Sequence, residues 1–304
     1  MQSQLASKNI TWVNLEAPTN EELAAFVRES ELERSDAEFI VQDHHRPEIA
    51  MRDRYILLLI QVPTFDKKAR VTVGVPLYFL ISGTRLWTLH YEPLPTLHTI
   101  WQDFEEKPAK QEEYFSDSPL SLALTVLSHL NQTAFHKIEK LHKHIEIVAD
   151  AVFHGNERKM VEEIALLNRD VMDFRAIMRP QRGLFSMVAT QPLFGTETRE
   201  QWVRLNGQMH KLWDFLESIT ENMQELTKTN TSLLQHKENE LLRLLTFYSI
   251  ITIPVWAFLS PFTPSFNGNA HTPLFSEIIY WATIGILSIV LIIIFLRFRG
   301  KSVL

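Results

Sequence analysis

Two apolar runs without a single ionic residue stand near the C-terminal end of the chain, at Leu244–Leu259 (LLTFYSIITIPVWAFL) and Ile278–Leu296 (IIYWATIGILSIVLIIIFL). With its flank to Phe262 the first reaches the roughly 20 apolar residues that a bilayer-crossing helix needs, and so does the second. A buried helical hairpin in a soluble core is the competing reading, and two runs wholly free of charge argue against it. Lys237 and Arg243 precede the first run, Arg297, Arg299 and Lys301 follow the second, and the stretch between them carries no lysine or arginine. The positive-inside bias then predicts two membrane spans with both termini in the cytoplasm and a short outer loop. Trp256, Tyr280 and Trp281 fall toward the outer ends, where amphipathic aromatics favour the interface.

The rest of the composition narrows the function by exclusion. A net charge of −6 argues against a nucleic-acid partner, which calls for a basic stripe. With no cysteine there are no disulfides, thiolate nucleophiles or Cys-based zinc sites. The opening MQSQLASKNITWVNLEAPTNEEL lacks a basic start followed by an apolar core, so the N-terminal part is expected to stay on the side where it is made. Phosphate-cradling glycine loops, zinc-protease motifs and nucleophile elbows are absent, and no enzyme is expected.

Residues 1–116 read as a mixed α/β domain. ITWVNL alternates as a strand, and APTNEELAAFVRES is a helix with Thr19 or Asn20 as cap and Glu21 and Glu22 in its first turn. YILLLIQVP, VTVGVPLYFLIS and RLWTLH are rich in β-branched and aromatic residues and read as strands. Leu94–Phe104 reads as a helix. Ser118 then caps a helix that has Pro119 at its first position, and residues 117–195 read as a helical hairpin, Pro119–Phe153 and Asn156–Met178, with Arg179–Gly195 as a looser connection. A final helix starts near Thr196 and meets no proline until Pro254; over sixty residues at 1.5 Å each give roughly 90–100 Å.

Along that helix Leu212, Leu216, Ile219, Met223, Leu226, Asn230 and Leu233 step by four and three, a heptad seam that calls for partners, and oligomerisation is the expected source. Asn230 either sets register there or faces solvent at the seam edge. Pro254 removes a backbone donor inside the first run, and Thr246, Ser249 and Thr252 offer hydroxyls to the freed carbonyl. Twelve histidines raise a zinc alternative. His129 and His136 share a helix face, His142 and His144 do not, and His44-His45 precede a strand; with no ligand spacing of the HExxH kind, solvated helix faces account for them better than a metal site.

With these elements in place the chain resembles the CorA-type divalent-cation transporters. ITWVNLEAPTNEEL resembles the family's opening strand and helix, and HHRPEIAMRDRYILLLIQVP its Arg-Pro turn before an apolar strand. Asn239, Leu242-Arg243, Leu245-Thr246, Ser249, Ile251 and Pro254 follow its spacing into the membrane. The resemblance implies a funnel-shaped homopentamer in the cell (inner) membrane: an α/β cytoplasmic domain, an all-α stalk and two transmembrane helices. The stalk and first span would cover 196–262, the outer loop 263–277, and the second span with a basic tail 278–304. It implies membrane transport of divalent cations, magnesium or zinc, through a central pore lined by the first span. The alternative is a membrane-anchored metal sensor or scaffold that conducts weakly or not at all.

The family register places Leu242, Leu245, Ser249, Ile253, Trp256 and Ser260 on the pore face. Trp256 would fill a lumen if five indoles met there, or pack against the second span. The family's Tyr-Gly-Met-Asn signature, whose asparagine captures a hydrated cation, should fall on Phe262–Ser265. Phe-Thr-Pro-Ser stands there instead, and magnesium sheds water so reluctantly that the first contact matters. Candidates for the outer mouth are the hydroxyls of Thr263 and Ser265, a displaced ring from Asn267 and Asn269, and Glu277, the loop's sole carboxylate. A plain polar loop and a helix-start Glu277 are the competing readings. Relatives hold metal between acidic residues of neighbouring cytoplasmic domains. Here Arg52 and Arg54, beside Asp53, are expected to form inter-subunit ion pairs instead, and the stalk start mixes Glu197, Arg199, Glu200 and Arg204. No regulatory metal ligand is assigned.

Overall fold

The computed structural model describes residues 2–7, 9–42, 46–107, 118–189 and 196–259, with residues 278, 281, 282, 284–286 and 289. The chain divides into two compact units, Met1–Ser232 and Leu233–Leu304. In the first, six strands form one sheet in the order β1-β2-β6-β5-β4-β3. They are β1 (Gln2–Ser7), β2 (Ile10–Glu16), β3 (Glu48–Met51), β4 (Tyr55–Asp66), β5 (Val71–Ser82) and β6 (Arg85–His90). Only β2 and β6 pair in parallel, Thr11 to Glu16 against Arg85 to His90; the other neighbours are antiparallel.

Helices cover both faces. α1 (Asn20–Glu29) and α2 (Arg34–Val41) lie on one, where Phe26 and Ile40 join Val13, Leu15, Leu57, Leu59, Tyr78, Leu80, Trp87 and Leu89 in a single core. α1 begins where the sequence predicts: Thr19 Oγ1 accepts from the Glu22 amide, and the Glu22 carboxylate accepts from the Thr19 amide, a reciprocal capping box. On the opposite face α3 (Pro95–Glu106) brings Trp101 and Phe104 onto Trp12, with ring centroids 4.7 and 5.6 Å away. The buried Trp12 indole donates to Thr88 Oγ1 at 3.0 Å, and that hydroxyl donates to Asn14 Oδ1 at 2.7 Å. The largest side chain of the strand thereby buries its polar handle with a partner.

α4 (Pro119–Ala151) starts with Ser118 accepting from the Ser121 amide and Pro119 at its first position, as expected. A π-helical turn at Val152–Asn156 reverses the chain, with Gly155 at φ 87°. α5 (Val161–Ala189) follows. Polar bolts tie both helices to the sheet. Lys137 donates to the Pro63 carbonyl, Gln181 Nε2 to the Gln61 carbonyl at 2.8 Å, and the Thr72 amide to Asp170 Oδ1 at 2.6 Å. Burial lowers the Lys137 pKa and raises that of Asp170, against the amide bond that holds its charge. The predicted connection from Arg179 is in fact helical to Ala189. Leu184, Phe185 and Val188 are buried, and that packing outweighs the propensity cost of Pro180 and Gly183.

α6 (Thr196–Leu259) is one continuous helix. Its predicted seam is buried, but by this chain's own helices. Leu212, Leu216, Ile219 and Met223 are at most 1% exposed within a single chain. Phe215 stacks on Phe135 of α4 at 5.3 Å, Ser128 of α4 donates to Gln208 Oε1, and Trp202 Nε1 of α6 donates to the Phe185 carbonyl of α5. This part of the helix has its partners in cis, which corrects the expectation that oligomerisation supplies them. Asn230 is buried too, not at a solvent edge, and its Oδ1 has no partner.

The arginines before β4 have partners within the chain. Arg52 Nε and Nη2 donate to the two Asp36 oxygens of α2 at 2.9 and 2.8 Å. The Tyr55 hydroxyl donates to Asp36 Oδ2 at 2.6 Å, and Arg54 pairs with Glu31 at 2.8 Å. The Arg52 hydrogen bonds, followed by that from Tyr55, hold the Asp36 carboxyl below its ordinary value despite burial.

Two predictions follow from these packing details. Replacing Asn230 with Leu removes a buried unpaired acceptor and should raise Tm by about 2–4 °C, without changing the number of chains in the particle; a lower Tm or a changed stoichiometry would mean that Asn230 sets inter-chain register. Asp36→Asn should cost about 1–2 kcal/mol at pH 7, discounted because the Arg52 side chain is 38% exposed. Because the folded pKa is depressed, this difference is full above about pH 4 and vanishes as pH falls through the folded value. Thermal melts of both proteins from pH 3 to 7 measure it.

Candidate functional site

The site begins where α6 loses its cover. From Leu241 to Ile250 every residue is exposed, although most are apolar. The helix persists because Thr246, Ser249 and Thr252 each donate to the carbonyl four residues back, Leu242, Leu245 and Tyr248, at 2.8, 2.9 and 2.7 Å. Hydroxyls held in this way add no unpaired donor to an apolar surface. They do not serve the Ile250 carbonyl that Pro254 frees, contrary to expectation. At the start of the run the Arg243 guanidinium lies 5.8 Å from the Phe247 ring centroid, a cation–π contact at the polar–apolar boundary.

Leu242, Leu245, Ser249, Ile253 and Trp256 fall in one row, since steps of three and four return to the same face of a helix. That row is open: Leu242, Leu245, Ile253 and Trp256 are 59, 60, 65 and 71% exposed. Ile251, Thr252 and Val255, off to one side of it, are half-buried. The row is therefore an uncovered apolar strip, with the Ser249 hydroxyl turned back to its own backbone. Ser260, Thr263, Ser265, Asn267, Asn269 and Glu277 lie outside the described residues, as does most of the second apolar run. Among the described residues no helix is long and apolar enough to cross a membrane; the described part of the first run stops at Leu259.

The histidine alternative gains nothing from the geometry. His129 packs edge-on against Phe104 at 6.2 Å, His136 contacts Glu139 at 2.9 Å, and His142 sits edge-on to Phe215 at 5.5 Å. His144 lies 4.0 Å from Glu163, and His44-His45 fall outside the described residues. Among the described residues no group of three His, Asp or Glu side chains could hold a metal ion. What sequence reading overlooks is a set of arginines on α5, Arg175, Arg179 and Arg182, which share a face by steps of four and three. The spacing is visible in the sequence, but its meaning is not, because the segment from Arg179 reads as a connection.

Comparison with known proteins places this architecture. The cobalt/magnesium transport protein CorA of Thermotoga maritima is 19% identical over 221 residues, 72% of this chain and 62% of that protein, so the chain spans less than two thirds of that relative's length. The complete structure of the CorA magnesium transporter from Methanocaldococcus jannaschii superposes with a TM-score of 0.74 at 18% identity, covering 96% of this chain and 92% of that one. The ZntB cytoplasmic domain from Vibrio parahaemolyticus superposes with a TM-score of 0.52 at 12% identity, covering 77% and 90%. At these identities the likeness establishes a common fold. A family model described as "CorA-like Mg2+ transporter protein" matches residues 7–299, and on that match, nearly the whole of its length, the chain belongs to the CorA-like family of ion transporters.

Proposed function

We propose that the protein carries divalent cations, magnesium or zinc, across a membrane through a pore on the axis of a homopentamer. The observation that supports this most is the uncovered apolar row on α6. Exposed apolar area costs about 25 cal/mol per Å² in water, and no described part of the chain covers the row. Lipid and further copies of the same helix would together remove that cost. In this reading Leu242, Leu245, Ser249, Ile253, Trp256 and Ser260 face the axis. Leucine and isoleucine rings form constrictions that close by dewetting, and Trp256 narrows the outer half. Thr263, Ser265, Asn267, Asn269 and Glu277 supply oxygens at the outer mouth, where repeated carboxylates concentrate cations.

The same reading assigns two spans, Leu244–Phe262 and Ile278–Leu296, in the inner membrane. Residues 1–116 and 117–195, the stalk and the basic tail are on the cytoplasmic side, and 263–277 are outside. Because the chain has no cysteine, single substitutions report topology without background. Gly268→Cys should react with an impermeant maleimide on intact cells, and Ser302→Cys only after permeabilisation; the reverse pattern, or labelling of both from outside, refutes the arrangement.

Transport itself is tested in liposomes loaded with magnesium- or zinc-sensitive dyes, each metal being added outside with and without a pH gradient. Protein-dependent flux of at least one metal is expected, and Ile253→Asn, which wets the constriction, should raise basal flux several-fold. No flux of either metal, from correctly inserted oligomers, would overturn the proposal in favour of the sensor or scaffold.

A further inference from the structure

A second feature of the molecule lies wholly within the first unit and has no part in the pathway above. α5 and α6 flank a cleft of about 440 Å³ lined by Arg175, Arg179, Arg182, Ser186, His210 and Trp213, with Glu217 at its edge. The guanidinium carbons of Arg175 and Arg182 lie 5.4 and 5.3 Å from the centroid of the Trp213 ring, which is itself buried. This fixes two of the three cations against a rigid aromatic surface. The Ser186 hydroxyl lies 3.3 Å from both His210 Nε2 and Asn206 Oδ1.

The charges in this cleft are not balanced. Among the described residues Glu217 is its sole carboxylate, 3.9 Å from Arg175 Nη2 and half exposed. Among the described residues neither Arg179 nor Arg182 has an acidic partner. Like charges three and four residues apart on a helix repel, and among the described residues no carboxylate other than Glu217 compensates them. The volume falls in the range of small-molecule sites, about 300–1,000 Å³, and exceeds what one carboxylate side chain or a single phosphate would fill. Arginine's planar fork matches the paired oxygens of phosphate groups.

We propose that this cleft binds a phosphate chain of two or more phosphates, as free pyrophosphate or as part of a nucleotide. The guanidiniums of Arg179 and Arg182 grip the oxygens, Arg175 is shared with Glu217, and Ser186 and His210 add polar contacts at the inner wall. The site stands apart from the transport reading, because binding here needs neither a membrane potential nor a transported metal.

Calorimetry on the full chain in detergent micelles, in metal-free buffer, tests it with pyrophosphate, ATP and orthophosphate. Saturable binding of one pyrophosphate or ATP per chain is expected, at least tenfold tighter than orthophosphate and weakened by added salt. Arg179→Gln and Arg182→Gln should each weaken it about tenfold or more. Arg179 is exposed, so the fold should survive its substitution, and Arg179→Lys should recover only part of the affinity because it restores charge without the fork. ATP binding more tightly than pyrophosphate assigns a nucleotide; equal affinities assign the phosphate chain alone. The proposal is wrong if none of the anions binds saturably, or if binding ignores both Gln substitutions. It is equally wrong if those substitutions alter only the oligomeric state, since acidic side chains of a neighbouring copy would then occupy the cleft.

Discussion

The structure is organised around the point at which α6 passes from a helix buried by its own chain to one exposed at every residue from Leu241 to Ile250. Up to Leu226 its apolar seam is buried in cis. From Leu241 onward an equally continuous helix exposes leucine, phenylalanine and isoleucine on every side. Burying one large aliphatic side chain is worth about 1.5–3 kcal/mol. A folded protein does not leave several such groups in water, so their environment must be lipid or another protein surface. The hydroxyls turned onto their own carbonyls fit this constraint, since unpaired donors would be costly there.

The α/β unit serves as the rigid body that holds the covered part of α6. Trp12, clamped between α3 and the Thr88 hydroxyl, fixes the sheet to the helical layer. Lys137, Asp170 and Gln181 fix α4 and α5 to β4 and β5 through single hydrogen bonds to the backbone. The same two helices then grip α6 through Phe135, Ser128 and Phe185. Arg52 and Asp36 hold α2 against the sheet as a local pair, and Arg54 meets Glu31 within the same protomer.

Much of this was legible in the residues. Thr19 with Glu22, and Ser118 with Pro119, mark helix starts by chemistry that acts locally, and the β-branched runs of β4, β5 and β6 announce central strands. β1 and β3 escape because they are edge strands: QSQLAS is polar, and EIAM is four residues long. α2 is a short helix without a side-chain cap. The seam from Leu212 is legible in the sequence, but a heptad repeat says that a partner exists and not which chain provides it. Pro180 misled because propensity is local while the burial of Phe185 is tertiary. At the candidate site the row on α6 follows from periodicity alone. The arginine cleft needs two helices to be brought together, which no local pattern reveals.

The most direct test of the central claim is disulfide cross-linking of single-cysteine variants in native membranes. If α6 copies meet around an axis through the Leu245–Ile253 row, Leu245→Cys and Ile253→Cys should give ladders of cross-linked species under mild oxidation. Phe247→Cys and Ile251→Cys, roughly opposite on the helix, should not. Equal ladders at all four positions, or cross-linking confined to Phe247→Cys and Ile251→Cys, would contradict an axis lined by this face.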